Sequence, residues 1–483
     1  MEYSIKIEKK LKDIIENSYR DKKFEETLSG ISALAYIYYQ YNQFYTDEFL
    51  ELFIEKVSKE LNFPVLEKMS LDHNTILFYD GFGLDGRGLA YIYLKALCTL
   101  QNKKLIYITK QTAKNKQPLI SEILKNTTIS YYEENKGWVH RAKEINECIL
   151  KYKPGIVFIY IPPWDVSAVG IFGLQNNLKR IQINLTDHAF WLGRNMFDIC
   201  VEFREYGYSI SKDYRYIPES KLTILPFYPH IDNCEFEGLP FDLTGHKMIF
   251  SGGSLYKTLS EDNKYYMILD EIIKNHNDVV FLYAGGDEKD KGRLNELIRK
   301  YPERVYWIKE RKDFIKIIER CYFYLNTYPH IGGLMTQYAV AVGKLPITLK
   351  NGKQTEGVLL KEENSLGFYY NTEKELLIDV HKLLIDENYL HEREKELEGC
   401  LMTEQDFAKG VINILVRGKA EFVFSHKKID IKEVEDIRKM YQNRFKSEYF
   451  DSAIANRRNK ALSKYFPIMF LKRFFEVKLG IKL

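Results

Sequence analysis

The chain is 483 residues long, about three times the ~150 residues of a common domain, so two or three domains are expected. At 45% hydrophobic and 29% charged it has an ordinary globular composition, which excludes a disordered or fibrous protein. The 71 Lys and Arg against 67 Asp and Glu leave a net charge of +4, too slight a surplus to indicate nucleic acid.

Residues 1–70 repeat apolar side chains at helical spacing, such as Leu11, Ile14 and Ile15, then Leu50, Phe53, Ile54 and Val57. A helical addition with little functional content is expected there. From 71 to 228 short apolar runs alternate with helical patterns. TILFY (75–79), KLIYIT (104–109), GIVFIYIP (155–162), RIQINL (180–185) and DICVEF (198–203) read as strands of a parallel sheet. Around 226–245 three prolines break the periodicity, and a linker is expected. The alternation restarts over 245–417 with KMIFSGG (247–253), VVFLYAGG (279–286), RVYWI (304–308), CYFYLN (321–326) and LPITL (345–349). Two doubly wound halves would each bind ligands at the carboxyl ends of their strands. If the sheets face each other, those ends border a cleft.

Charge interrupts every apolar run of MEYSIKIEKKLKDIIENSY, so no signal peptide is expected, and no window reaches the ~18–20 apolar residues of a membrane span. The six cysteines stand far apart without a CxxC pair, as expected of reduced, buried thiols in a cytoplasmic protein without a zinc site.

Four segments carry candidate chemistry. GFGLDGRG (81–88) follows the first strand and satisfies GxGxxG through Gly81, Gly83 and Gly86. The next strand ends Thr109-Lys110-Gln111, without the carboxylate a dinucleotide ribose requires, which argues against a nicotinamide enzyme. Either the loop is a plain tight turn or Gly83, Asp85 and Gly86 line a cleft for an acceptor or phosphate. NLTDHAFWLG (184–193) delivers Asp187 and His188 at a strand end, a pair suited to proton transfer, and Trp191, whose flat face suits a sugar ring. The alternative is a capping histidine beside a core indole.

SGGSLYK (251–257) offers Gly253, Ser254, Tyr256 and the cation Lys257 to a phosphate. In LNTYPHIGGLMTQ (325–337), His330 precedes Gly332-Gly333, which start a helix. Backbone N–H groups near Leu334, Met335 and Thr336 are then ready for a diphosphate. Neither segment matches a P-loop.

The strand–PHIGG–helix–GKLPI arrangement resembles the donor half of GT-B glycosyltransferases, and SGGSLYK resembles the loop after the first strand of that half. TDHAFWLG with DICVEFREYG is similar to a segment of bacterial GT-B enzymes of cell-surface glycan synthesis. The resemblance spans about 71–417 and extends to the O-GlcNAc-transferase-like branch, without tetratricopeptide repeats. It implies two Rossmann-like domains and a nucleotide-sugar donor, UDP-linked, with no metal or other cofactor. The implied activity is transfer of a hexosyl or N-acetylhexosaminyl group to a glycan, lipid-linked or protein acceptor. An epimerase of the same fold and an inactive partner subunit are the alternatives. One departure is the lack of a carboxylate in TQYAVAVGKLP, which leaves Gln337 or Glu356 for the ribose and favours inversion with Asp187 or His188 as base.

The segment 418–483 reads as a basic, aromatic helical tail. Over 451–483, eight Lys or Arg interleave with Tyr465, Phe466, Phe470, Phe474 and Phe475. Such a tail either meets an anionic membrane at its cytoplasmic face or packs back on the first domain.

Overall fold

The computed structural model describes residues 2–42, 44–86, 88–232, 234–286, 292–360, 368–424, 426, 428–444 and 448–480. The chain divides into two compact units, Met1–Leu225 with Phe407–Leu483, and Pro226–Asp406.

The first unit holds seven parallel strands: β1 (Asp72–Asp80), β2 (Lys104–Lys110), β3 (Thr128–Tyr132), β4 (Pro154–Tyr160), β5 (Lys179–Ile183), β6 (Ile199–Glu202) and β7 (Leu222–Ile224). Their order is β3-β2-β1-β4-β5-β6-β7. The central strands β1 and β4 are covered on both faces, which is why their sequences are continuous apolar runs. The second unit repeats the pattern with β8 (Lys247–Gly252), β9 (Val279–Ala284), β10 (Val305–Ile308), β11 (Phe323–Leu325), β12 (Pro346–Leu349) and β13 (Tyr369–Tyr370), in the order β10-β9-β8-β11-β12-β13. Both are doubly wound Rossmann sheets, whose winding reverses beside the first strand. The switch points therefore lie between β1 and β4 and between β8 and β11.

The strands expected from sequence are present. β3, β7 and β13 were not expected. Each ends its sheet and pairs on one side only, so a short or half-exposed strand suffices there.

Helices Glu2–Arg20, Phe24–Tyr41 and Glu48–Glu60 form the N-terminal addition. Leu11, Ile15, Ile31, Leu34, Ile54 and Val57 share one core with Leu77, Val157 and Ile159 of the sheet. The carboxyl-terminal segments join the same core through Phe450, Ile454, Leu462 and Phe466. Lys464 pairs with Glu26 at 2.7 Å, and the Tyr465 hydroxyl donates to the same carboxylate. Residues 407–417, expected with the second half, belong to the first unit: Phe407 packs edge-on against Tyr93, and Gly410 lies against Leu225. The segment 226–245, read as a linker, lies within the second unit, where Phe236, Leu239 and Phe241 pack onto its core.

Not every thiol is buried as expected. Cys200, Cys321 and Cys400 are, but Cys98 is exposed, and none of the six forms a disulfide. Among the described residues no helix is long and apolar enough to cross a membrane.

Candidate active site

In the second unit, the two glycine-bearing segments singled out from sequence follow β8 and β11, adjacent strands that flank the switch point. Gly253 has φ +122°, and a Cβ on Gly285 after β9 would lie 2.8 Å from the Gly253 carbonyl oxygen, so two turns approach backbone to backbone. Ser254 is exposed, and Leu255–Thr258 forms one 3-10 turn. That turn docks on the PHIGG segment: the His330 N–H donates to the Lys257 carbonyl at 3.3 Å, and Lys257 Nζ lies 3.5 Å from the Ile331 carbonyl. Tyr256 stands edge-on to His330, with ring centroids 6.5 Å apart. Lys257 and His330 are thus brought together.

Gly332 N-caps the helix Gly333–Ala341, and no side chain caps it. The backbone N–H groups at Gly333, Leu334 and Met335 are first-turn donors without an intrahelical acceptor, an anion-binding arrangement. Thr336 differs from the expectation. Its N–H donates to Gly332 O at 2.8 Å as the first helical bond, and its buried hydroxyl donates to the same oxygen. Gln337 also differs: it is buried, and its Nε2 donates to the carbonyls of Phe227 and Val358. Glu356, after β12, is half-buried and 3.3 Å from Lys350 Nζ.

Sequence reasoning passed over Asn326, which holds this turn together. Its Oδ1 accepts from the N–H groups of Thr327 and Gly332, and its Nδ2 donates to Thr336 and Thr348. A buried Asn at a strand end with hydroxyl neighbours was its one available signal.

In the first unit, Asp80 at the end of β1 accepts from the N–H groups of Phe82 and Gly83, closing the glycine loop, and Gly83 takes φ +62°. Asp85 accepts from Leu119 and Ile120 N–H at 3.2 and 3.0 Å. It caps the start of helix Pro118–Ile123, so its carboxylate has a structural partner. Gly86 lies in the turn beside it.

Asp187 and His188 emerge after β5. Asp187 is 1% exposed, with Oδ1 3.1 Å from His188 Nδ1 and Oδ2 2.5 Å from Arg204 Nε. Burial alone would raise its pKa, but Arg204 and His188 outweigh burial and hold it well below the usual carboxylate range. Asp187 therefore stays ionised and orients His188, and is a poor proton acceptor itself. With Nδ1 facing Asp187, His188 presents Nε2, and its side chain is 33% exposed. Gly207 permits this packing, since a Cβ there would meet Asp187 Cβ at 2.8 Å.

Trp191 contradicts the expectation of a sugar platform. It is 3% exposed, and Arg215 packs on its ring at 5.0 Å. Half-buried Tyr39 lies near His188, with centroids 6.5 Å apart, and packs in turn on Trp164, which also meets Tyr36. Tyr441 stacks on His188 at 6.0 Å and 22°.

Arg215, fully buried, donates to the carbonyls of Thr186, Asp187 and Ala189, and through Ser211 it is linked to the buried Glu202. The N-terminal addition, expected to be functionally quiet, clamps the same loop. Asn42 Nδ2 donates to His188 O at 2.7 Å, and Glu51 accepts from Gly193 N–H at 2.7 Å. These long-range partners left no motif in the sequence.

Burial pushes Glu51 up from 4.5 to about 7, against the opposing hydrogen bonds of Gly193 and Arg194. The folded state therefore binds the proton more tightly than the unfolded chain. That contribution is full below pH 4.5 and is lost as pH rises towards 7. Thermal unfolding of Glu51→Gln is expected to lose less stability than the native chain between pH 5 and pH 8. Parallel curves would show that Glu51 ionises without cost.

No family model matches the sequence, and no curated protein matches it. Solved structures do. A mutant of the Thermobaculum terrenum O-GlcNAc transferase aligns with a TM-score of 0.52 at 13% identity, covering 90% of this chain and 81% of that one. Anabaena HepE, solved with UDP and glucose, aligns with a TM-score of 0.50 at 11% identity, covering 71% of this chain and 99% of that one. HepE solved with UDP-glucose gives the same values.

The chain has the GT-B fold. In GT-B terms the carboxyl-terminal Rossmann-like domain is the unit Pro226–Asp406. The other domain carries the N-terminal helical addition and the carboxyl-terminal helices.

Proposed function

We propose that this protein is a glycosyltransferase that moves a hexosyl or N-acetylhexosaminyl group from a UDP-sugar to an acceptor hydroxyl. The observation that carries this reading is the uncapped helix at Gly332-Gly333, on the switch point of the second sheet and beside the Lys257 turn. Its fold is shared with a protein solved with UDP and glucose. The first-turn N–H groups and Lys257 would receive the diphosphate, and Glu356 offers a carboxylate for the ribose. In an inverting displacement the acceptor oxygen forms its bond to the anomeric carbon as the bond from that carbon to the phosphate oxygen breaks. UDP leaves with the electron pair, and His188 Nε2 takes the hydroxyl proton. Fixed donors and cations stabilise the leaving diphosphate, so the reaction is proposed to run without a divalent ion or other cofactor.

The test is UDP titration followed by transfer assays across UDP-sugars, with EDTA present. Lys257→Ala is expected to weaken UDP by about tenfold, the order of one charge-assisted contact. Unchanged UDP affinity would remove Lys257 from the donor site, and UDP-sugar conversion without any acceptor would replace the transferase with an isomerising enzyme.

We place its work at an anionic membrane, the cytoplasmic face of a bilayer carrying a lipid-linked acceptor. The helix Pro467–Leu479 leaves Ile468, Leu471, Phe474 and Val477 more than half exposed, while Lys472, Arg473 and Lys478 lie on the same helix. Each cation near an anionic surface is worth about 1 kcal/mol, and the apolar side chains add burial. Flotation with phosphatidylserine vesicles is expected to recover the protein, less so as salt rises. Leu471→Asp with Phe474→Asp should abolish it. Vesicle binding unaffected by this pair would remove the helix from the membrane contact. Residues 481–483 of this tail lie outside the described residues.

A further inference from the structure

A cavity in the first unit was not assigned from sequence. It has a volume of about 680 Å³, within the roughly 300–1,000 Å³ of small-molecule sites. Phe44 and Tyr45 come from the N-terminal addition, Tyr214 and Tyr216 follow the helix Glu205–Asp213, and Asp430 and Arg438 come from the carboxyl-terminal segments. The pocket thus draws on segments added to the Rossmann core at both ends of the chain.

Its chemistry is selective. Tyr216 is 73% exposed and holds φ +56°, a conformation uncommon for a non-glycine residue. Phe44 is 39% exposed. These are flat apolar faces at the wall, not core side chains. Tyr214 is fixed by its hydroxyl, which donates to the Ile429 carbonyl at 2.7 Å. The ionisable lining is balanced: Lys428 and Arg438 face Asp213 and Asp430. Asp213 is further engaged by His426 at 3.1 Å. A phosphate-rich ligand needs a cationic surplus, and a purely apolar one gains nothing from this polar lining. Ring faces ringed by donors and acceptors of both signs suit a neutral polyol with apolar faces, which is a sugar.

The pocket is also linked to His188. Arg438 packs on the Tyr45 ring at 5.0 Å, and Arg215, which holds the His188 loop, packs on the same ring at 5.1 Å. Arg438 lies one helical turn before Tyr441, the residue stacked on His188. We propose that this pocket is a saccharide-binding site that holds sugar rings of a glycan acceptor away from the reacting hydroxyl. The inference that the ligand is an acceptor rests on the glycosyltransferase reading; the inference that it is a saccharide does not.

The test is saturation-transfer NMR and calorimetry on the full chain with chitotetraose, cellotetraose and maltotetraose, with UDP titrated in parallel. Binding of at least one tetrasaccharide is expected. Tyr216→Ala should weaken it by about tenfold, Tyr216→Phe should retain it, and UDP affinity should be unchanged in both. Phe44→Ala provides a second, independently exposed ring. Failure of all three sugars to bind a chain that still binds UDP would overturn the proposal. So would tetrasaccharide binding indifferent to both alanine variants. Tetrasaccharide binding that depends on Tyr216, in a chain that neither binds UDP nor turns over any donor, would keep the saccharide site and sink the transferase.

Discussion

His188→Gln is expected to lower sugar transfer by about 10²–10⁴-fold, the usual contribution of a positioned general base. The geometry makes this variant informative. The imidazole is a third exposed, and its contacts are the Asp187 carboxylate and the Tyr39 and Tyr441 rings, so a glutamine there is expected to leave the fold intact. Asp187 keeps its pairing with Arg204 when the imidazole is removed. UDP affinity should not change, because no donor-site residue is touched. Transfer at the native rate would exclude His188 as the base. Asp187→Asn is a less clean probe, because it leaves Arg204 buried beside a neutral amide and disturbs packing and orientation together.

Arg215→Met is expected to destabilise the first unit by about 3–5 kcal/mol, the range for breaking one side of a buried charge system. The guanidinium is fully buried and serves three carbonyls of the Thr186–Ala189 turn together with Ser211. Burial lowers its pKa, and Glu202 is the largest opposing influence. Removal leaves the buried Glu202 charge without that counterweight, and three carbonyls lose a donor. A lower urea midpoint for the first unit is the expected reading. Adding Glu202→Gln should recover part of the loss, since the uncompensated charge goes with it. An unchanged midpoint in the single variant would show that solvent or neighbouring donors already satisfy the turn. The consequence for function follows from position: the turn that Arg215 holds is the one that presents His188.

The sequence determined on its own the features that depend on local pattern. Buried strands such as β1, β4, β8 and β9 must be apolar on both faces, so they stand out as continuous runs. The glycine turns at 253 and 332–333 stand out because close backbone approach and an uncapped helix start demand small residues. Together these mark both Rossmann halves and the glycine turn proposed to meet the donor. Tertiary structure alone decided which side chains are free. Trp191 and Gln337 looked available from their positions but are buried, one under Arg215 and the other on backbone carbonyls. Thr336 looked like a free donor but makes the first helical bond. Conversely, Asn42, Arg204, Arg215 and Tyr441 meet the His188 turn from 16 to 253 residues away in sequence. No local spacing encodes such partners, because they are selected by packing between distant elements. The 680 Å³ pocket has the same origin, since it exists only where segments from both ends of the chain meet.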